Sequence, residues 1–282
     1  MQHELALERR NLHGHFSRDL APALTIEPGD SVRISVPNSG WRLDSGEQFR
    51  PLDERLDGGH ALAGPIEVRG AHDGQTLAVR IDEVRPGSWG VTFGNDHAVR
   101  WELADGVART GRFAVTTRPF LGVLGMPPPH GDFHTTIPPR RWGGNIDCKE
   151  LVAGTTLFLP IPVEGALFSA GDPHAAQGDG EVSRTAIECP AQATLTLDVR
   201  DESIEWPRAR THDAWLAFGL DEDLDEAARI ATDGMLALMQ ELLGVSHDEA
   251  LALASVVVDL RVTQVVNEVL GVHAVLPDDA LR

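Results

Sequence analysis

Apolar and polar side chains alternate along the first part of the chain. After the turn Pro28-Gly-Asp, every second residue from Val32 to Val36 is apolar, and the same alternation runs from Leu77 to Ile81 after an Asp-Gly turn. Successive side chains of an extended chain point to opposite faces, so one face of each segment is apolar. The pattern predicts half-buried antiparallel strands.

Two more strands are predicted around a glycine-rich loop further along the chain. An apolar run extends from Thr155 to Ile161, and alternation returns from Leu195 to Val199. Before them, the proline- and glycine-rich stretch from Pro119 to Asn145 predicts an irregular segment. Long irregular segments in compact proteins often line a site, so we expect this one to border a pocket.

The period of the pattern changes in the last third of the chain. Apolar residues recur there at steps of three and four: Leu224, Ala228, Ala231, Met235, Leu238 and Leu242. This spacing predicts an amphipathic helix of about five turns, with Asp223 and Glu226 as a capping pair and Gly244 at its end. A second helix is predicted from Ser246 to about Val256, followed by a strand.

These elements together predict an α+β protein. The predicted fold has a β-rich N-terminal portion, sandwich or barrel-like, over residues 1–120, and a C-terminal α/β portion with the two amphipathic helices over residues 121–282. A chain of 282 residues can also form one continuous domain, so that alternative stays open.

Charge and cysteine content narrow the classes of function. Asp and Glu number 43 against 24 Lys and Arg, a formal charge of -19, so nucleic acid and anionic membranes are not expected partners. The sequence has no basic segment followed by a long apolar run, and we expect a cytoplasmic protein. Two cysteines are too few for a disulfide scaffold or a cysteine-rich zinc site.

Metal-capable groups are densest between Asn145 and Glu181. Asp172 and His174 are one residue apart and would point the same way in an extended segment. Asp147 could complete a site of three ligands for a zinc-class ion, and Glu164 is a candidate general base on the intervening strand. Such a centre could polarise a carbonyl and activate water.

Each of these residues also has a simpler structural interpretation. Asp172 could begin a turn, Asp147 could cap a strand end, and Glu164 could pair with Arg140 or its neighbour. The run Gly178-Asp-Gly-Glu is typical of a solvated turn, which leaves Asp179 and Glu181 as spare carboxylates. Clustering of so many acidic groups is what favours a site.

Other candidate groups carry weaker signals. Cys148 is followed directly by a lysine and a glutamate, the residue types used by nitrilase-like amidases, but neighbours on a strand face opposite ways. His13 and His15 are one residue apart and could bind metal. His60 lies in a glycine-rich loop that could border the site.

Four blocks of the sequence resemble the acetamidase/formamidase family, in the same order and with the same spacing. They are Gly64-Pro-Ile-Glu-Val-Arg-Gly-Ala, Gly144-Asn-Ile-Asp, the long segment from Leu157 to Glu181, and the segment from Ser255 to Asn267. The resemblance runs from about Leu12 to Pro277, although the chain is shorter than the longer formamidase-like members and lacks tyrosine.

The resemblance implies hydrolysis of a short aliphatic amide, such as formamide or acetamide, to the acid and ammonia. It also implies a homodimer or higher homo-oligomer and a bound divalent metal, zinc foremost. Metal ligation carries over to Asp147, Asp172 and His174, with Glu164 and Asn145 as catalytic residues. His60, Gln177 and Gly178 are then the candidates for binding the amide substrate.

Two other functions stay open. One is a protein of the same fold that binds a small ligand without catalysis, and the other is amide hydrolysis through the thiol of Cys148.

Overall fold

Strands form the frame of the chain in its computed structural model, which describes residues 1–281. In the first half the strands are β1 (Gln2–Leu5), β2 (Leu12–His13), β3 (His15–Phe16), β4 (Leu24–Ile26), β5 (Asp30–Val36), β6 (Leu62–Val68), β7 (Thr76–Pro86), β8 (Trp89–Gly94), β9 (His97–Ala104), β10 (Val107–Thr110) and β11 (Phe113–Thr116). A short 3-10 helix (Arg9–Asn11) lies between β1 and β2.

The second half contains further strands and both α-helices. They are β12 (Phe120–Gly125), β13 (His134–Thr135), β14 (Gly143–Asn145), β15 (Thr156–Pro160), β16 (Phe168–His174), β17 (Ala191–Arg200), β18 (Arg208–Arg210), β19 (Ala214–Asp221), α1 (Leu224–Leu243), α2 (His247–Val257), β20 (Asp259–Gln264) and β21 (Leu270–Pro277). The α+β class and the two C-terminal helices are therefore confirmed.

A nine-stranded sheet runs through most of the molecule in the order β1-β5-β17-β7-β15-β18-β19-β21-β20. The alternating segments of the sequence lie near its middle, where β17 pairs antiparallel with both β5 and β7. Val32, Ile34 and Val36 are buried, as their spacing predicts. Strands from both predicted portions share this sheet, and the division near residue 120 stays a prediction.

A six-stranded sheet carries three of the predicted site residues, Asn145 in β14 and Asp172 and His174 in β16. Its main path is β14-β12-β16-β6-β2, with β4 paired to β6. Apolar side chains of both large sheets, such as Val79 and Leu195 on one and Ile66 and Leu121 on the other, belong to one continuous buried core. Burial of this apolar surface is the main force holding the two sheets together.

One element in this sheet corrects the sequence analysis. The stretch from Pro119 to Asn145 was expected to be irregular, but Phe120–Gly125 forms β12, and every residue of that strand is buried. Its Phe-Leu-Gly-Val-Leu-Gly sequence is continuously apolar because neighbours cover both of its faces, so no alternation marks it. The segment after β12 is largely irregular, apart from the short strands β13 and β14.

The two helices pack on one end of the nine-stranded sheet. Met235 and Leu238 of α1 share a buried apolar cluster with Ala217 of β19 and Ala274 of β21. The Asp223 carboxylate accepts hydrogen bonds from the backbone N–H groups of residues 225 and 226, and Gly244 ends the helix with a left-handed backbone. Asp223 and Gly244 are therefore the predicted caps, but Glu226 does not complete the predicted pair: its carboxylate bonds to Arg229, and the N–H of Asp223 donates to Asp221. None of the helices in residues 1–281 combines the length and apolar character that crossing a bilayer requires.

Asp223→Ala should lower the free energy of unfolding by about 0.5–2 kcal/mol, because two N–H groups at the start of α1 lose their acceptor. Urea unfolding followed by circular dichroism measures the change. Glu222→Ala is the matched control, since this exposed neighbour precedes the cap. Equal stability of the two variants would show that the cap contributes nothing.

Candidate metal centre

Three strands bring the predicted metal ligands together. β12 pairs antiparallel with β14 on one side and β16 on the other, so residues that follow β14 and end β16 approach each other across β12. His174 Nε2 lies 3.3 Å from Asp172 Oδ2, and His174 Nδ1 lies 3.6 Å from Asp147 Oδ1. All three side chains are at most 3% exposed.

Two further carboxylates complete the group. Glu188 Oε1 is 3.1 Å from His174 Nε2. Ligand atoms of Asp147, His174 and Glu181 lie within 4.8 Å of one another, and so do those of Asp172, His174 and Glu188. Four carboxyl groups thus surround one imidazole. We call Asp147, Asp172, His174, Glu181 and Glu188 the acidic centre.

The backbone of this centre is strained. Asp147, Asp172 and Glu181 have φ angles of 51°, 56° and 44°, in the left-handed region that L-residues other than glycine seldom adopt. Each such residue costs roughly 1–3 kcal/mol and persists only where the surroundings fix it, most often at functional sites. Three strained carboxylate residues around one histidine therefore favour a functional role.

Burial and neighbouring charges shift the pKa values of the side chains in the acidic centre. Burial raises the pKa of Asp147 to about 6 and that of Glu181 to about 9, and in each case a neighbouring carboxylate adds to the effect. Burial alone would lower the pKa of His174, but the carboxylates of Glu188 and Asp172 raise it well above its ordinary value. Negative charge in this pocket therefore needs a cation or protons to balance it.

Gln177 and Asn267 hold the centre in place. The Gln177 amide donates to the backbone oxygen of Asp147 over 2.7 Å, so its Oε1 is the atom that faces His174 Nδ1 at 2.9 Å. Because that oxygen only accepts, Nδ1 carries the hydrogen and Nε2 faces the carboxylates. Asn267 Nδ2 donates to Asp147 Oδ2 over 2.6 Å.

The donor set fits a divalent cation. Asp147 Oδ1, Asp172 Oδ1 and Glu188 Oε2 are buried and have no hydrogen-bond partner among residues 1–281. A buried carboxylate oxygen without a donor is costly, and ligation of a cation is one of the few ways to compensate it. Carboxylate oxygens with one imidazole nitrogen are suitable ligands for zinc and manganese.

The predicted substrate-binding residues lie around the same centre. Gln177 and Gly178, with Glu181, line a cavity of about 540 Å³. His60 bonds to the Thr136 hydroxyl, and it lies close enough to Asp172 to contribute, after His174, to the lowered pKa of that carboxyl. Asn145 is buried beside β12, and its side-chain oxygen has no partner in the described part of the chain.

The position expected for Glu164 is wrong. It is exposed in a turn between β15 and β16, and lies on neither strand. The apolar run ends at Ile161, and Gly165, with a left-handed φ of 73°, lets the chain reverse before β16 begins. Glu164 is therefore not part of the buried cluster, which contains Glu181 and Glu188.

Other candidates are engaged elsewhere. Asp179 pairs with Lys149 over 2.8 Å, while the thiol of Cys148 donates to Glu150 over 3.3 Å. His13 contacts the Ser169 hydroxyl at 2.9 Å, and His15 contacts the Asp57 carboxylate at 2.8 Å. Each of the two histidines therefore has a polar partner of its own, and neither belongs to the acidic centre.

Sequence reasoning missed Glu188, Asn267 and Gly122. Glu188 stands between the buried residues Ile187 and Cys189, and a carboxylate inside an apolar run is the signal that could have identified it. Gly122 lies directly beneath the ligands: a Cβ there would be 2.6 Å from Asp172 Oδ2 and closer still to Asp147 Oδ1. No local pattern marks that role of Gly122.

Comparison with known proteins identifies relatives. The sequence model of the acetamidase/formamidase family matches residues 1–109 and 131–280. A candidate formamidase of Schizosaccharomyces pombe is 28% identical over 71% of this chain and 66% of its own length, and an acetamidase of Mycolicibacterium smegmatis is 26% identical over 61% of each. The chain thus spans a little under two thirds of these curated relatives.

A solved structure matches over nearly the whole chain. The crystal structure of a predicted acetamidase/formamidase from Thermoanaerobacter tengcongensis superimposes with a TM-score of 0.88 at 25% identity. The match covers 99% of this chain and 96% of that one. The two chains therefore share one fold over nearly their whole lengths.

Gly122→Ala should weaken Mn²⁺ binding by about 10- to 100-fold, because the added methyl group displaces two carboxylates. Electron paramagnetic resonance of free Mn²⁺ measures the affinity, since carboxylate-rich sites accept this ion. Gly94→Ala is the control, because a Cβ at Gly94 meets nothing within 4 Å. Equal affinity of both variants would rule out Mn²⁺ binding at the acidic centre.

Proposed function

This chain belongs to the acetamidase/formamidase family, and on that basis we propose that it hydrolyses a short aliphatic amide, of the formamide or acetamide type, to the carboxylic acid and ammonia. We further propose that the reaction depends on a divalent metal, zinc foremost, held in the acidic centre. The observation that carries the proposal is the group of four buried carboxyls around His174, next to a cavity that a small amide can enter.

Amide hydrolysis at neutral pH requires an electrophilic carbonyl and a deprotonated water. Asp147, Asp172, His174 and Glu188 are the residues that would hold the metal, since three of them offer oxygens without partners in the described chain and His174 offers Nε2. When bound there, a divalent cation supplies polarisation of the carbonyl and makes water more acidic.

Glu181 is the residue best placed to move protons. Its carboxyl belongs to the acidic centre and also lines the 540 Å³ cavity, so it can contact both water and substrate. With a divalent cation in the centre the pKa of Glu181 would fall from about 9, because a nearby positive charge favours the carboxylate. In this proposal the ionised Glu181 takes a proton from water as the water oxygen attacks the carbonyl carbon. It returns the proton to the nitrogen as the C–N bond breaks and ammonia leaves.

Asn145 and Gln177 have supporting roles in this proposal. The side-chain oxygen of Asn145 is a buried acceptor, and an N–H group of the substrate amide is a donor of the right kind to satisfy it. Gln177 is a positioning residue, because both ends of its amide are bonded to the centre. Assembly into a homo-oligomer remains a proposal carried by family membership.

Removal of metal should abolish ammonia release, and zinc or manganese should restore it. The assay measures ammonia from formamide, acetamide and propionamide before chelation, after chelation and after metal is returned. Full activity in the metal-free protein would contradict metal dependence. If an amide bound without any ammonia release, the alternative of a non-catalytic small-ligand-binding protein would be favoured.

Glu181→Gln should lower kcat by about 10²- to 10⁴-fold, which is the usual contribution of a general acid–base group. Glu164→Gln is the matched control, because the same substitution in the exposed turn leaves the centre untouched. We expect its kcat to equal that of the unmodified protein. The reverse ranking of the two variants would restore Glu164 as the base and remove Glu181.

A further inference from the structure

A second group of metal-capable side chains lies on the other side of the Asp147 loop. Ligand atoms of Cys148, Glu150 and His273 lie within 4.8 Å of one another. Cys148 and His273 are almost fully buried, and Glu150 is 9% exposed. We call these three residues the thiol cluster. It shares no residue with the acidic centre and has no part in the proposed reaction.

His273 shows that the thiol cluster lacks a partner. The residue lies in β21, where its Nδ1 forms a hydrogen bond of 2.8 Å with the Thr263 hydroxyl. Its Nε2 is buried, has no hydrogen-bond partner within residues 1–281, and faces Glu150 Oε2 at 3.6 Å. Metal-binding histidines are usually held by a hydrogen bond at one ring nitrogen, which leaves the other nitrogen to bind the ion.

The thiol of Cys148 is directed at the same point. Its Sγ donates to Glu150 Oε2 over 3.3 Å, so sulfur and imidazole converge on one carboxylate oxygen. The other oxygen of Glu150 lies 3.4 Å from the Arg261 guanidinium. Because the Arg261 side chain is 40% exposed, water screens its charge and weakens its competition with a cation.

We propose that Cys148, Glu150 and His273 bind one zinc-class ion, at a site separate from the acidic centre. Binding converts the Cys148 thiol to a thiolate and releases one proton to solvent. Thiolate and carboxylate then balance the two positive charges, and neutral His273 adds the third ligand. Sulfur and imidazole together select zinc and its analogue cobalt over calcium or magnesium.

An ion could reach the thiol cluster from solvent, and its binding would affect the neighbouring acidic centre. A cavity of about 340 Å³ is lined by Glu150, Thr155 and Arg261, and gives solvent a route to the cluster and to the ligand position that three protein groups leave open. Cys148 directly follows Asp147 in the chain, so an ion here ties the Asp147 loop to β21. The proposed site therefore helps to hold Asp147, one ligand of the acidic centre, in position.

Cobalt gives a readout that separates the two sites. Only a thiolate ligand produces sulfur-to-cobalt charge transfer in the near ultraviolet, and the acidic centre has oxygen and nitrogen donors alone. Chelator-treated protein titrated with Co²⁺ should develop this band with the final intensity of one thiolate–cobalt site per chain, and further cobalt can enter the acidic centre without adding to it. The band should vanish in Cys148→Ser and persist in Cys189→Ser, the only other cysteine.

The same titration can overturn the proposal. Cobalt that binds without the band, a band that survives Cys148→Ser, or a band lost only in Cys189→Ser would each show that the thiol cluster is a closed hydrogen-bond network without an ion. Should Cys148→Ser not fold, His273→Gln must weaken the cobalt affinity read from the band by tenfold or more, and an unchanged affinity contradicts the site. Because the band does not depend on amide hydrolysis, this result is independent of the proposed reaction.

Discussion

Buried negative charge around one histidine is the constraint on which the rest of this structure depends. Four carboxyl groups share a space with His174 from which water is almost excluded. In such surroundings each unpaired charge is costly, so the protein must supply hydrogen bonds, protons or a cation. The raised pKa values of Asp147 and Glu181 follow from burial, to which neighbouring carboxylates add, and three of the carboxylates lie on strained backbone.

The fold provides the rigidity that this crowding requires. β12 is buried along its whole length between β14 and β16, and its glycine at residue 122 leaves the space that the carboxylates of Asp147 and Asp172 occupy. The nine-stranded sheet closes the other side, because Asn267 follows its edge strand β20 and bonds to Asp147. Both large sheets are therefore needed to assemble one site.

The loop that carries Asp147 connects the acidic centre to the thiol cluster. Asp147 turns toward His174 while the next residue, Cys148, turns toward Glu150 and His273. Since neighbouring residues face opposite ways, a single short segment serves two groups of polar side chains without mixing them. A rigid loop at this point benefits the centre, because small displacements of ligands weaken metal binding and catalysis strongly.

The sequence by itself determined several strands and the first helix, and it pointed to three residues of the acidic centre. Alternation identified β5, β7 and β17, and a period of three and four with its caps identified α1, because burial of one face imposes these patterns on the chain directly. Clustering within one segment pointed to Asp147, Asp172 and His174. Only the tertiary structure decided the rest. It brings Glu188 to His174 and Asn267 to Asp147, and it packs the carboxylates where Gly122 has no side chain. It also places Glu164 in an exposed turn and not on a strand. Proximity in a folded chain depends on strand order and register, and short-range patterns carry little information about either.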